Sequence, residues 1–408
     1  MDLSRDDFIN MLERMASYGT APEDGCSLFG VGYEDAYSRI KQKYLCGQFK
    51  RGTSSEKFIV GPFGSGKTHF LRQLMEMSRE MDCVTSEVTL NKDVDFTKSL
   101  IVYSEITREL RTPNSTGYGV NSLIEGAINK VKSQVEEQEL RDIILGDWIK
   151  GIDKIDYKLN IFGKVMKKAL IAKIEENETV FEMCCDWLGG VFNDKDLSKE
   201  LGIPKLDKGS NNLYAKRAML SLFQFIKHAG FCGTVVCFDE AEQGLSVDKK
   251  KTDKILSMLM SGIEAITNLN KGSALMVYAL TPDLVEKMQN FPALQQRITS
   301  PRGRGFFDGN VLAPLIELRR DDPLTDLERI GHKLIDVFFD FFGEETKIQN
   351  DMLKSKISEI AKEIVETDIS SSNRRDMVKS TCSVLLNIIE TGEMEVAVSR
   401  DIDEELEV

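Results

Sequence analysis

Residues Phe58 to Leu74 read FIVGPFGSGKTHFLRQL, and few stretches restrict a fold more. Phe58, Ile59 and Val60 form a short buried-strand signal, and at Gly61 the chain enters a glycine-rich loop that leads into helical spacing at Phe70, Leu71 and Leu74. Gly61 is separated by four residues from Gly66-Lys67-Thr68, the spacing of a phosphate-binding loop. Gly64 and Gly66 let backbone N–H groups turn inward with no Cβ in the way, at the positive end of the following helix. Lys67 would reach the β- and γ-phosphates of a nucleoside triphosphate, and the Thr68 hydroxyl would hold Mg²⁺. The expected nucleotide grip is the loop itself: Gly61, Pro62, Phe63, Gly64, Ser65, Gly66, Lys67, Thr68 and His69.

A second stretch, Gly233 to Gln243 (GTVVCFDEAEQ), complements the first. Thr234 to Phe238 is a continuous apolar run, as expected for a central strand of a parallel sheet covered on both faces. It ends in two adjacent acids, Asp239 and Glu240. An acid at the carboxyl end of such a strand can coordinate Mg²⁺, and the next can polarise an attacking water. Asp239 is therefore the expected Mg²⁺ residue and Glu240 the expected general base. SALMVYAL, ending at Leu280, reads as another buried strand, and Thr281 at its tip is placed to orient water.

Composition narrows the class. The 408 residues suffice for two or three domains, and 41% hydrophobic content is that of a globular chain. A net charge of −13 disfavours indiscriminate attraction to nucleic acid or anionic membrane. No apolar run approaches the roughly 20 residues of a membrane span. The N-terminus, MDLSRDDFINMLERM, lacks the apolar core of a secretory signal, so a cytoplasmic protein without membrane partners is expected. Eight scattered cysteines without a Cys-x-x-Cys pair, and only three histidines, point to reduced thiols and not to a structural metal site.

In chain order, residues 1–32 read as an amphipathic helix, with Phe8, Met11, Leu12 and Met15 on one stripe, followed by a linker. At the end of that linker, in LFGVGY (Leu28–Tyr33), Val31 and Tyr33 are candidates for adenine contact. Residues 33–320 read as the nucleotide-binding domain. Within it, 121–205 forms a long helical insertion, whose lysines between Lys150 and Lys173 are candidates for contact with nucleic acid or an acidic partner. A helix ends near Arg297, the basic loop Ser300-Pro-Arg302-Gly-Arg304 follows, and Val311 to Leu318 reads as the last strand. Residues 321–392 are helical, and 393–408 form an acidic tail.

The order of phosphate loop, two-acid strand, strand ending in Thr281, arginine-bearing segment and helical C-terminal domain resembles the AAA+ ATPases, nearest to the branch related to origin-recognition proteins. More narrowly, GPFGSGKTHFLRQL (Gly61–Leu74), SLIVYSEITRELRTP (Ser99–Pro113), HAGFCGTVVCFDEAEQ (His228–Gln243) and SNRRDMVKSTCSVLL (Ser372–Leu386) resemble the BrxD family, ATP-binding proteins of BREX and related anti-phage operons. The resemblance implies an α/β, AAA+-type P-loop fold with a central parallel sheet, a long helical insertion and a C-terminal helical lid. It makes Thr281 the first sensor and Arg375, with Arg374 as rival, the lid sensor. Arg297 becomes the finger reaching a neighbouring subunit, with Arg302 and Arg304 as competitors. The function implied is an ATPase using ATP and Mg²⁺, slow as an isolated subunit. It would be homo-oligomeric, gating assembly on DNA or with a DNA-processing partner such as a helicase. A helicase-like motor, suggested by Asp239-Glu240-Ala241-Glu242, and a nucleotide-holding switch without turnover are the alternatives.

Overall fold

The structure is a computed structural model, and it describes residues 3–241, 249–303, 305–318, 322–367 and 373–394. Glu242, Gln243, Arg304 and nearly all of the acidic tail lie outside the described residues. The chain divides into two units, one drawn from Met1–Glu34, Pro62–Gln73 and Leu318–Val408, the other from Asp35–Gly61 and Leu74–Glu317.

The larger unit is mixed α/β, and its frame is a six-stranded sheet. The strands are β1 (Ser55–Val60), β2 (Cys83–Thr89), β3 (Leu110–Arg111), β4 (Gly233–Asp239), β5 (Ala274–Leu280) and β6 (Leu315–Glu317), in the spatial order β3-β2-β4-β5-β1-β6. All neighbours are parallel except the short edge strand β3, which runs antiparallel to β2. The apolar runs of β4 and β5 are buried along their whole length, as the central strands of a parallel sheet require. Phe58, Tyr278 and Phe238 are level with one another on β1, β5 and β4. Their rings stack in a row, with centroids 5.5 Å apart for Phe58–Tyr278 and 4.7 Å for Phe238–Tyr278. That cross-strand row fixes the register, because a slip of one residue would turn every aromatic to the opposite face.

Two details differ from the sequence reading. The last strand is shorter than Val311–Leu318, because Ala313 N–H turns back to the Asn310 carbonyl at 3.0 Å and Pro314 has no N–H to give a ladder. The helix Lys249–Thr267 was not anticipated, although Ile255, Leu259, Ile263 and Ile266 bury one face at helical spacing. Between β3 and β4 the chain is helical throughout, with helices Gly119–Lys132, Gln138–Ile152, Asn160–Ile174, Glu178–Leu188 and Lys195–Leu201, followed by Asn211–His228.

In the other unit, helices Arg5–Tyr18, Pro323–Phe342, Asn350–Thr367 and Asn373–Thr391 share one apolar core. Phe8, Leu12 and Met15 pack there with Leu334, Phe338 and Leu385, so the N-terminal stripe is sheltered by segments more than 300 residues away. Ser4 and Asp7 form a reciprocal capping box that starts the first helix. Gly331 permits close approach of the C-terminal helices, since a Cβ there would lie 2.3 Å from Ile357 Cγ2 and 2.7 Å from Met377 Cε. Among the described residues no helix is long and apolar enough to cross a membrane.

Candidate nucleotide site

At the carboxyl edge of the sheet the register puts three functional positions together. Val60 is level with Leu280, and the N–H of Gly61, which opens the glycine loop, donates to the Leu280 carbonyl at 3.1 Å. Thr281 follows directly, buried, at the start of the helix Pro282–Gln289. Two strands from β1, β4 ends at Asp239, only 5% exposed. One Asp239 carboxylate oxygen accepts the backbone N–H of Glu240 at 2.9 Å. Glu240 has φ +56°, the left-handed region that non-glycine residues enter at a cost of about 1 kcal/mol or more. The chain thus accepts strain to turn sharply after the acid and to set two carboxylates at a strand end.

The phosphate loop shows the backbone its sequence demands. Gly64 and Gly66 adopt φ +72° and +89°, which a side chain would strain. Lys67 begins the helix Lys67–Glu80 with its Nζ 3.1 Å from the Pro62 carbonyl and 5.2 Å from the centre of the Phe63 ring, which is 67% exposed. Ser65 is buried. His69 is packed differently from the loop glycines. Its ring meets Phe29 edge-on at 5.0 Å, its Nε2 is shielded without a hydrogen-bond partner, and burial with the nearby Arg374 charge pushes its pKa down to about 4. His69 therefore stays neutral and joins the loop helix to the Cys26–Phe29 turn.

Of the candidate adenine contacts, Val31 is packed into the helical core, and Tyr33 meets Phe70 edge-on at 5.7 Å. In the same unit Arg374 approaches the loop. Its guanidinium lies 5.4 Å from the Tyr33 ring centre, and its Nη1 is 3.5 Å from the Ser65 carbonyl oxygen. A Cβ on Gly66 would come within 3.3 Å of it. Arg375 instead lays its aliphatic stem against Gly19.

Several of the other candidate cations have local partners. Arg297 pairs with Glu264 at 2.7 Å, and Arg302 donates to the Gly309 carbonyl. In the helical insertion Lys150 pairs with Asp147, Lys167 with Asp153 and Lys173 with Glu125, while Lys168 donates to the carbonyls of Glu200 and Leu201. The acids that pair with Lys150, Lys167 and Lys173 come from other turns and helices.

A parallel sheet carrying a glycine loop after one central strand and a buried acid at the end of another is consistent with the P-loop nucleotide-binding class. The sequence model described as BREX system ATP-binding protein BrxC/D matches residues 3–404, nearly the whole chain, and the protein belongs to that family. Membership gives it an ATP-binding role in defence. No curated protein sequence matches the chain.

Proposed function

We propose that this BrxC/D protein is an AAA+-type ATPase that hydrolyses ATP and uses its nucleotide state to gate assembly with DNA or a DNA-processing partner. The observation that carries the reading is the Asp239–Glu240 turn, a buried acid followed by a strained one, on the sheet edge where β1 hands over to the glycine loop. Insertion of β5 between the loop strand and the acid strand supports the AAA+ form, because it brings Thr281 to that edge between them.

In this reading the loop amides and Lys67 grip the triphosphate. Asp239 and Thr68 are hard oxygen donors of the kind Mg²⁺ takes, one carboxylate and one hydroxyl with phosphate and water completing the shell. Magnesium would neutralise charge on the phosphate oxygens. Glu240 accepts the proton of water attacking the γ-phosphorus in line, and Thr281 orients that water. Arg374 takes the lid-sensor role. Arg297, released from Glu264, is the finger for a neighbouring copy, and such a finger is typically worth about 10³–10⁵ in rate. A helicase-like motor is less well supported, since the described residues after 322 contain only helices.

Glu240→Gln tests the proposal. The ATPase reading expects turnover to be lost while ATP stays bound. A passive switch expects the variant and the wild type to retain nucleotide alike. A wild-type rate that is independent of protein concentration and survives Arg297→Ala would remove the trans-acting arginine.

A further inference from the structure

Two thiols meet at the edge of the sheet opposite Asp239 and Thr281. Cys83 opens β2, and Cys232 immediately precedes β4. In the β2–β4 ladder Cys83 is level with Gly233, and the Cys232 N–H donates to the Asp82 carbonyl at 2.8 Å. Neighbouring strands lie about 4.8 Å apart, so the two cysteine backbones fall in the range of about 4.4–6.8 Å that a disulfide spans. The side chains lie near enough for each thiol to shift the titration of the other, while the Cys83 Sγ donates to the Met81 carbonyl at 3.7 Å and the Cys232 Sγ to the Leu45 carbonyl. Cys83 is fully buried, whereas Cys232 is partly exposed.

We propose that Cys83 and Cys232 form a peroxide-reactive dithiol separate from the nucleotide site, with Cys232 as the attacking sulfur and Cys83 as the resolving one. The surroundings favour that division of labour. The adjacent Cys83 thiol draws the Cys232 pKa down to about 7, with help from the Lys227 and Lys50 charges and against burial and Asp82. Lys227 is held beside it by a 3.0 Å bond to the Cys232 carbonyl, and Asp82 is partly neutralised by Lys130 at 2.5 Å. The Leu45 carbonyl, 3.5 Å from Cys232 Sγ, is the contact that favours the protonated thiol. Elsewhere burial pushes the thiols of Cys184, Cys185, Cys237 and Cys382 up.

The chemistry balances with a peroxide as oxidant. The Cys232 thiolate attacks one oxygen of H₂O₂, the O–O bond breaks, and hydroxide leaves and becomes water, giving a sulfenic acid. Cys83 sulfur then attacks the oxidised sulfur, the S–O bond breaks, and the departing hydroxide takes the Cys83 proton. Two thiols and one peroxide become one disulfide and two waters.

The test uses the full chain, reduced and then exposed to a few equivalents of hydrogen peroxide. Peptide mapping should find a Cys83–Cys232 link, with two of the eight thiols lost and recovered with dithiothreitol. Cys83→Ser should leave a sulfenic acid on Cys232 that dimedone traps, and Cys232→Ser should leave Cys83 reduced. In the unmodified chain Cys232 should alkylate at pH 7 roughly tenfold faster than Cys46, which is also partly exposed. First oxidation at Cys46 or Cys185, or equal alkylation of Cys232 and Cys46 across pH, would overturn the assignment.

Discussion

Nη2 of Arg374 lies 2.5 Å from Oδ2 of Asp326. The guanidinium is tethered by one carboxylate, with its other amino group turned to the phosphate loop, and in the proposed ATPase it would exchange that carboxylate for phosphate oxygens. Asp326 is thus the resting partner of the loop-facing arginine.

Arg374→Ala is expected to lower ATP turnover by roughly tenfold or more, the scale of losing one preorganised charge donor. Arg375→Ala is expected to leave turnover within about threefold and to lower thermal stability, because what it loses is stem packing on Gly19. Steady-state ATPase rates and melting curves of the two variants check this, and a larger rate loss in Arg375→Ala would reverse the assignment.

Glu56 on β1 has both carboxylate oxygens shielded and without hydrogen-bond partners, and burial raises its pKa well above the usual 4.5, with Arg297 opposing. A raised folded pKa means that its contribution to stability is fully present below about pH 4.5 and is lost as pH rises through the folded value. Glu56→Gln removes the titration. Its unfolding free energy relative to wild type should therefore climb as pH rises above about 4.5. Chemical denaturation at several pH values measures it, and parallel curves would contradict it.

The next residue, Lys57, is a buried base with its Nζ bonded to the Ala313 carbonyl, 4.6 Å from the Tyr44 ring centre and 5.0 Å from that of Phe306. Burial lowers its pKa from 10.5 to about 7. The unfolded chain then holds the extra proton between pH 7 and 10.5, so this group adds stability as pH rises across that window. Lys57→Met should flatten the rise, as read from melting temperature against pH.

Gly331→Ala inserts a methyl group where Ile357 and Met377 leave no room. Overpacking of this kind costs about 1–3 kcal/mol. The variant's denaturation midpoint should drop accordingly, whereas Gly146→Ala, which meets nothing within 4 Å, should not destabilise its helix.

The strands and the glycine loop were legible because each carries its cause locally: unbroken apolar runs in β4 and β5, and glycines where φ must be positive. The Asp239–Glu240 pair was legible for the same reason, as polarity appearing abruptly at a strand end. What could not be read was set by distant partners. Which of Arg374 and Arg375 faces the loop depends on Asp326 and Ser65, and Lys167 and Lys173 of the insertion are paired by Asp153 and Glu125. Helix Lys249–Thr267, by contrast, carries its own periodic signal at Ile255, Leu259, Ile263 and Ile266.

Calorimetric titration of the folded chain with ATP and Mg²⁺, alongside Lys67→Ala, addresses nucleotide binding most directly. Saturable one-site binding in the wild type, weakened at least about tenfold in Lys67→Ala by loss of a charged phosphate contact, is the expected result. A correctly folded wild type that binds neither ATP nor ADP, or a Lys67→Ala variant that binds them equally well, would contradict it.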